Sequence, residues 1–388
     1  MEQAMSDSPE RLNVLFVTPW YPSEVAPVYG IFIREHALAV QLYHDVTVVC
    51  SDEIPGLAQR ELQETVDYGL PTLRYRFRPT PSRLGKQFWR AWGAWRVSRL
   101  LKRRGYRPHI IHANVGSSML AALVLRRAFG APVVLTEHAT IYQSDQLGRF
   151  MRWYVRNVSN RAARVMPVTA NLAERLRYHG VRVPMQVVPN ALDLGIFQFQ
   201  QRPDHHHKKT WQLVSAGLLI ERKGHLLTIE AVAKLRERGR DVRLDIMGEG
   251  EQRSLIEQRV EALGLGDHVT LHGNVPKAEV ARMMRVSDIF VLATYYETQG
   301  CVFFEALASG IPVVGTQVGG VPEVVGPDHG ILVPPGDVNA LTEAIDQVMS
   351  NYASYDPQAL ADYAHGRYAH KVVGAQFDAI YREVLAGG

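Results

Sequence analysis

Thr294-Tyr-Tyr-Glu-Thr-Gln-Gly-Cys-Val-Phe-Phe-Glu-Ala-Leu-Ala-Ser-Gly-Ile-Pro-Val-Val-Gly-Thr-Gln-Val-Gly-Gly-Val-Pro-Glu323 decides how the chain is read. The apolar run 289–292 just before it reads as a buried strand, 294–300 as a loop and 302–308 as a helix. Glu297 and Glu305 are separated by seven residues, with Gly300 between them. A Gly-Ile-Pro break at 310–312, a second apolar run and a Gly-Gly-x-x-Glu turn at 319–323 follow. One carboxylate thus precedes a helix and the other lies within its first turns. Both stand beside the N–H groups that a helix start leaves unpaired, which attract an anion. Two acids at this spacing also arise by chance, and a Glu near a helix start can simply serve the dipole. The added glycines, their order and the strand–loop–helix context make the pair meaningful.

Working outward, 388 residues with 46% hydrophobic and 21% charged side chains suit two globular domains, each with its own core. Two cysteines, Cys50 and Cys301, provide no disulfide framework and fit a reducing, cytoplasmic setting. The acidic, polar first ten residues do not read as a signal peptide, and the mildly apolar run 110–125 is too short and polar to span a bilayer. A cytoplasmic protein, or one resting on the inner face of the cytoplasmic membrane, is the expectation.

Apolar runs at 14–17, 46–49, 73–77, 110–112, 133–136, 165–168 and 186–188 alternate with helical patterns in the first half. Runs at 212–215, 242–247, 269–271, 289–292, 312–314 and 331–333 do so in the second. Such alternation predicts an α/β fold with two doubly wound parallel sheets. A first domain over 1–197, a linker over 198–210 and a second domain over 211–366 are expected, with an apolar-faced terminal helix over 367–388. The polar linker contains three adjacent histidines at 205–207, read as a solvated loop because adjacent side chains diverge and no other metal ligand is near. Ligands of doubly wound sheets bind outside the carboxyl ends of the strands.

The stretch 294–323 resembles retaining glycosyltransferases of family 4, which have the GT-B fold of two Rossmann-like domains facing a cleft. Other segments carry the likeness further. Lys223-Gly224 matches the family's Lys-Gly, although Leu218 stands where an arginine is usual, and Arg222 is the neighbouring substitute. Gly248, in Met247-Gly-Glu-Gly250, and Val275, in His272-Gly-Asn-Val-Pro276, match further second-domain turns. His138 ends an apolar run where the family places a histidine against the donor sugar, and Glu137 precedes it. Ala191 replaces a glycine in Pro-Asn-x-x-Asp at 189–193, and only Gly30 remains of a Gly-Gly pair.

The resemblance implies transfer of a sugar from a nucleotide diphosphate-sugar, a UDP- or GDP-sugar, to an acceptor hydroxyl. It assigns Glu297 and His138 to the donor sugar, Glu305 to the ribose, and Arg222 with Lys223 to the diphosphate. Gly300, Cys301 and Val302 would supply helix-start amides. Gly30, Arg34, His112 and Asn114 are the candidate acceptor-side residues, and a lipid-linked or cell-surface glycan precursor is the acceptor class. No Asp-x-Asp ends a strand, so neither metal nor cofactor is expected. Two alternatives share the scaffold: a phosphorylase or synthase with a small soluble acceptor, and an inactive sugar or polyanion binder, which Leu218 keeps open.

Charge is unevenly divided. Residues 1–200 hold 25 Lys and Arg against 15 Asp and Glu, and no acid falls between Asp67 and Glu137. Trp89, Trp92 and Trp95 lie among arginines at helical spacing within 85–104, and a second basic aromatic segment runs from Arg149. Basic aromatic helices suit the headgroup region of anionic membranes. The same pattern fits tryptophans turned to the core under solvated arginines. No nucleic-acid-binding module accompanies the charge, so nucleic acid is not an expected partner.

Overall fold

The computed structural model describes residues 10–23, 26, 29–143, 145, 147–201 and 210–387. The first sheet holds β1 (Asn13–Thr18), β2 (Asp45–Glu53), β3 (Glu61–Asp67), β4 (Leu70–Phe77), β5 (Ile110–Asn114), β6 (Val133–Glu137) and β7 (Arg164–Pro167). Their order is β3-β4-β2-β1-β5-β6-β7. The second sheet holds β8 (Trp211–Ala216), β9 (Val242–Met247), β10 (Val269–Gly273), β11 (Ile289–Leu292), β12 (Val313–Thr316) and β13 (Gly330–Val333), ordered β10-β9-β8-β11-β12-β13. Pairing is parallel throughout except for β3 with β4. Strand order reverses at β1 in one sheet and at β8 in the other, which opens a crevice at the carboxyl ends of the strands. The chain is thus an α/β protein of two doubly wound sheets.

Three local readings need correction. β3 went unseen because its residues, Glu-Leu-Gln-Glu-Thr-Val-Asp, are polar; it is an edge strand joined to β4 by a two-residue turn with Tyr68 at φ 54° and Gly69 at φ 81°. Residues 186–188 run beside β7, where Gln186 and Val188 N–H bond to Val165 and Pro167 O, but they form no strand. Pro184 and Pro189 remove the donors that a longer ladder needs. The terminal helix starts at His370 rather than 367, after a break at Ala369 (ψ 144°) that separates Pro357–Tyr368 from His370–Ala386. Of the expected linker, residues 202–209 with the three histidines lie outside the described residues.

Four apolar clusters cover the two faces of each sheet. Leu192 and Phe197 already pack in the second-half core. The helix Pro357–Tyr368 packs there too, whereas Val373, Phe377, Ile380 and Tyr381 of His370–Ala386 join the first-half cluster with Ile33 and Ala37. The two crossings touch: Leu192 N–H donates to Tyr368 O at 2.6 Å.

Several histidines are built into these cores. His112 is fully buried on β5, with Nδ1 2.6 Å from the Tyr381 hydroxyl and Nε2 2.6 Å from Thr136 Oγ1. Burial pushes it well below the ordinary histidine range. Burial also lowers His36, beside Pro189 O, and His225, beside Leu218 O, each to about 4.

An unfolded histidine titrates near 6.5, so below that pH the unfolded state binds more protons than the folded one. Stability present at pH 7 is therefore lost as pH falls from about 6.5 towards 4. Thermal melting across this window should show a steep fall in Tm, and a flat profile would contradict neutral buried imidazoles.

Candidate active site

The helix Cys301–Ala308 follows the loop that leaves β11. Gly300 starts it in the left-handed region (φ 78°), where a Cβ would fall 2.5 Å from the Phe303 ring. No side chain caps the start, so its first amides are available to an anion in the cleft. Gly319 and Gly320 press on the preceding loop. A Cβ on Gly319 would lie 1.8 Å from Glu297 O, and one on Gly320 would lie 2.2 Å from Thr298 O. The Gly-Gly turn is therefore the wall that holds the loop against the helix.

Glu297, almost completely buried, receives Lys223 Nζ at 2.5 Å and accepts Thr298 N–H at 3.1 Å. Burial alone would raise its pKa, but Lys223, Arg222 and the Thr298 amide outweigh it and hold the carboxyl below its ordinary range. An ionised acid on a lysine is the result. Arg222 lies on the same short turn, and its backbone oxygen accepts from Tyr295 N–H and the Thr294 hydroxyl. Gly224 closes that turn at φ 66°, where a Cβ would meet Ala293 O at 2.0 Å.

Glu305 projects from the same helix and accepts Lys277 Nζ at 3.1 Å. Lys277, at the start of Lys277–Val286, also feels Glu35 of the first half. Burial would lower the lysine pKa, but Glu305 and Glu35 raise it, so it stays charged. Glu35 is held in turn by His370 at 2.9 Å and by Arg34. Burial would raise the Glu35 pKa, but the His370 hydrogen bond with the charges of Lys277 and Arg34 outweighs it and brings it down to about 2. Burial pushes the Cys301 thiol up to about 12, so it stays protonated. Gly248 adopts φ 145°, with its Cβ position 1.9 Å from Gly217 O, and Val275 packs partly against the core beside Lys277.

From the first half, His138 ends β6 beneath the Phe32 ring, centroid to centroid 4.6 Å. Burial, with His36 nearby, keeps it well below the ordinary range and hence neutral, and Asn190 acts against that shift. Neither ring nitrogen has an ordinary hydrogen bond among the described residues. Asn190 in turn donates twice to Gln299 Oε1, at 2.9 and 2.8 Å, next to Gly300. His138 is thus linked through Asn190 to the loop of the second half. Glu137 instead accepts the N–H groups of Gly116, His138 and Ala139, and shapes its own turn.

The fold gives each of the four candidate acceptor-side residues a structural place. His112 and Asn114 are fully buried because β5 is central and covered on both faces; Asn114 Nδ2 bonds to His112 O. Gly30 is a buried turn glycine whose Cβ would fall 2.3 Å from Trp20 O, and Arg34 is committed to Glu35 and the Tyr68 ring. Sequence reading gave no role to Lys277 or Gln299; Glu323, read there as the end of the Gly-Gly-x-x-Glu turn, accepts Ala170 and Asn171 N–H (2.7 and 2.8 Å) at a first-half helix start.

The basic helix Arg83–Arg103 is resolved by its packing. Gly93, Ala94, Val97 and Leu101 face the sheet, and Gly93 leaves room for the Tyr75 ring. Trp92 and Trp95 consequently point outward at 42% and 40% exposure, whereas Trp89 is half-buried with Arg60 3.8 Å over its ring. Trp89 is therefore not a free surface aromatic.

Residues 197–366 match the family of glycosyl transferases group 1, and residues 36–191 match the glycosyl transferase 4-like domain. The chain belongs to the GT-B glycosyltransferases of the family-4 kind. It is 28% identical over 391 aligned residues, 95% of each chain, to TuaC of Bacillus subtilis (strain 168), a glycosyltransferase assigned to teichuronic acid biosynthesis. It is 26% identical to the alpha-D-kanosaminyltransferase of Streptomyces kanamyceticus, covering 79% of this chain and 87% of that one. Among solved structures, sucrose-phosphate synthase from Thermosynechococcus elongatus superposes with TM-score 0.79 at 21% identity, over 97% of this chain and 100% of that one. This glycosyltransferase shares that fold.

Removing one member of a buried ion pair costs about 3–5 kcal/mol because the other charge is left unpaired. Lys277→Met should lower unfolding stability by roughly 3 kcal/mol in denaturant titration, and Lys277→Arg should recover most of it. Equal stability of the methionine variant would show the pair idle.

Proposed function

We propose that this glycosyltransferase moves a sugar, with retention of anomeric configuration, from a UDP- or GDP-sugar to a hydroxyl of a lipid-linked or cell-surface glycan precursor. The observation that carries the reading is the uncapped start of Cys301–Ala308, flanked by Glu297 on Lys223 and by Glu305 on Lys277. The diphosphate rests on the helix-start amides with Arg222 and Lys223, whose charge offsets the negative charge that gathers as the sugar–phosphate bond breaks. Glu305 accepts the ribose hydroxyls. Glu297 and neutral His138 hold hydroxyls of the donor sugar, the imidazole from the first-half side of the cleft. The acceptor oxygen forms the new bond to the anomeric carbon while its proton leaves to the departing phosphate or to solvent. Local cations and the helix dipole take the part that a divalent metal would play, so the reaction is metal-independent.

The relation to the teichuronic acid protein, extending along nearly the whole of both chains, supports a cell-surface glycan acceptor. No helix among the described residues is long and apolar enough to cross a membrane. Contact with an anionic membrane is proposed instead, through Phe88, Trp92 and Trp95 together with Phe150 and Trp153, all exposed. Arg96, Arg99, Lys102, Arg103, Arg149, Arg152 and Arg156 have no carboxylate partner among the described residues, which leaves their charge for headgroups.

Glu305→Ala removes charge-assisted bonds each worth about 1.5–3 kcal/mol, so kcat/KM for the donor should fall roughly 100-fold. Unchanged turnover would remove the ribose assignment. Turnover should persist in EDTA, and NMR of the product should show the donor's anomeric configuration; metal rescue or inversion would each overturn the corresponding part. Nucleotide binding without nucleotide release from any donor would favour the inactive binder.

Sedimentation with phosphatidylglycerol vesicles should capture the protein far better than with phosphatidylcholine vesicles. Trp92→Ala combined with Trp95→Ala should lower that capture several-fold, and undiminished capture would clear this helix of membrane contact.

A further inference from the structure

A sheet of a doubly wound fold ordinarily carries apolar side chains on both faces because helices cover both. On the first sheet, the helix Arg83–Arg103 covers one face of the β3–β4 end, with Tyr75 against Gly93. The opposite face is different. Alternation along the strands puts Gln63 beside Arg74 and Thr65 beside Thr72, and the adjoining β2 puts Asp52 beside Arg76. All of these but the buried Thr72, with Asp67, Tyr68 and the Pro22–Ser23 segment after β1, line a recess of about 310 Å³. That volume lies at the lower end of the range of small-ligand sites, about 300–1,000 Å³.

The floor is preorganised. Arg74, only 6% exposed, donates to Asp52 at 3.1 Å, to Asp67 at 2.6 Å and to Pro22 O at 2.6 Å. Beside it lies Tyr21, 2% exposed, whose hydroxyl has no hydrogen-bond partner among the described residues. The Arg74 guanidinium lies 5.5 Å from the centre of the Tyr21 ring. Tyr68, 64% exposed, stands at the rim with the Arg34 guanidinium 4.2 Å from its ring centre.

We propose that this recess binds a neutral sugar ring of the acceptor. Adjacent hydroxyls on a sugar both donate and accept. Asp52 and Asp67 accept, Arg74 and Arg76 donate, and Gln63 and Thr65 do both. The apolar C–H face of the ring lies on Tyr68. Near-balance between two aspartates and two arginines selects against either sign of ligand charge: a phosphate or carboxylate meets the aspartates, and an ammonium group meets the arginines. The assignment rests on the glycosyltransferase reading, because it needs a sugar acceptor, but uses none of the donor-site residues.

Saturation-transfer NMR on the full chain tests it, with the methyl glycosides of glucose, N-acetylgalactosamine and glucuronic acid, and with UDP and GDP as donor-site reporters. Neutral glycosides should receive saturation and the glucuronide should receive less. Gln63→Ala should cut the neutral signal several-fold. Tyr68→Asn, which suits the left-handed turn at φ 54°, should do the same. Nucleotide signals should survive in both variants, which shows that they are folded. The inference is overturned if no sugar gives a signal while a nucleotide does, if neither variant changes the sugar signal, or if inorganic phosphate displaces the sugars. Silence from both nucleotides in the unaltered protein would strike the donor reading itself, and the acceptor assignment with it.

Discussion

The loop from Thr294 to Gly300 is the constraint on which the rest of the site depends. Apart from the exposed Tyr296 it is largely buried, so its polar groups need partners, and it takes them from four directions. Arg222 O binds Tyr295 N–H and the Thr294 hydroxyl, and the Thr316 hydroxyl reaches Thr294 O. Gly320 N–H and the Thr169 hydroxyl both donate to Thr298 O. Gln299 takes two donors from Asn190. Two of these contacts come from the other half of the molecule. The loop therefore sets the helix start, the position of Glu297 and the seating of the first half at once.

Electrostatics follow the same geometry. Three buried acids near the cleft are held by side chains of other elements: Glu297 by Lys223, Glu305 by Lys277 and Glu35 by His370. Lys277 feels acids from both halves. Buried charges are tolerated only when paired, so any change in the spacing of the halves is felt at the helix that carries Glu305.

Much of this was legible in the sequence, and the reasons are local. β11 and β9 were read to the residue, because buried parallel strands are continuous apolar runs. Glu297 and Lys223 fall in motifs, and the structure places them 2.5 Å apart. What escaped depends on distant partners. His112 sits after an apolar run as a ligand would, but its partners are Thr136 and Tyr381, the latter 269 residues away. Only the fold brings Lys277 to Glu305. The tryptophans on Arg83–Arg103 could face either way until the small residues Gly93 and Ala94 were seen to take the sheet side. β3 lacked any apolar signature, since one of its faces lines a polar recess.

Glu323 stands in the second half yet supplies the N-terminal cap of the first-half helix Ala170–Tyr178, occupying both of its leading amides. The two halves are therefore not interchangeable cassettes. A chimera that borrowed the first half of a relative to change its acceptor would keep a closed cleft only if residues 169–171 and Asn190 travelled with a compatible Glu323 and Gln299. The seam for such recombination is consequently set by these few cross-half hydrogen bonds, and not by the stretch of chain that joins the two sheets.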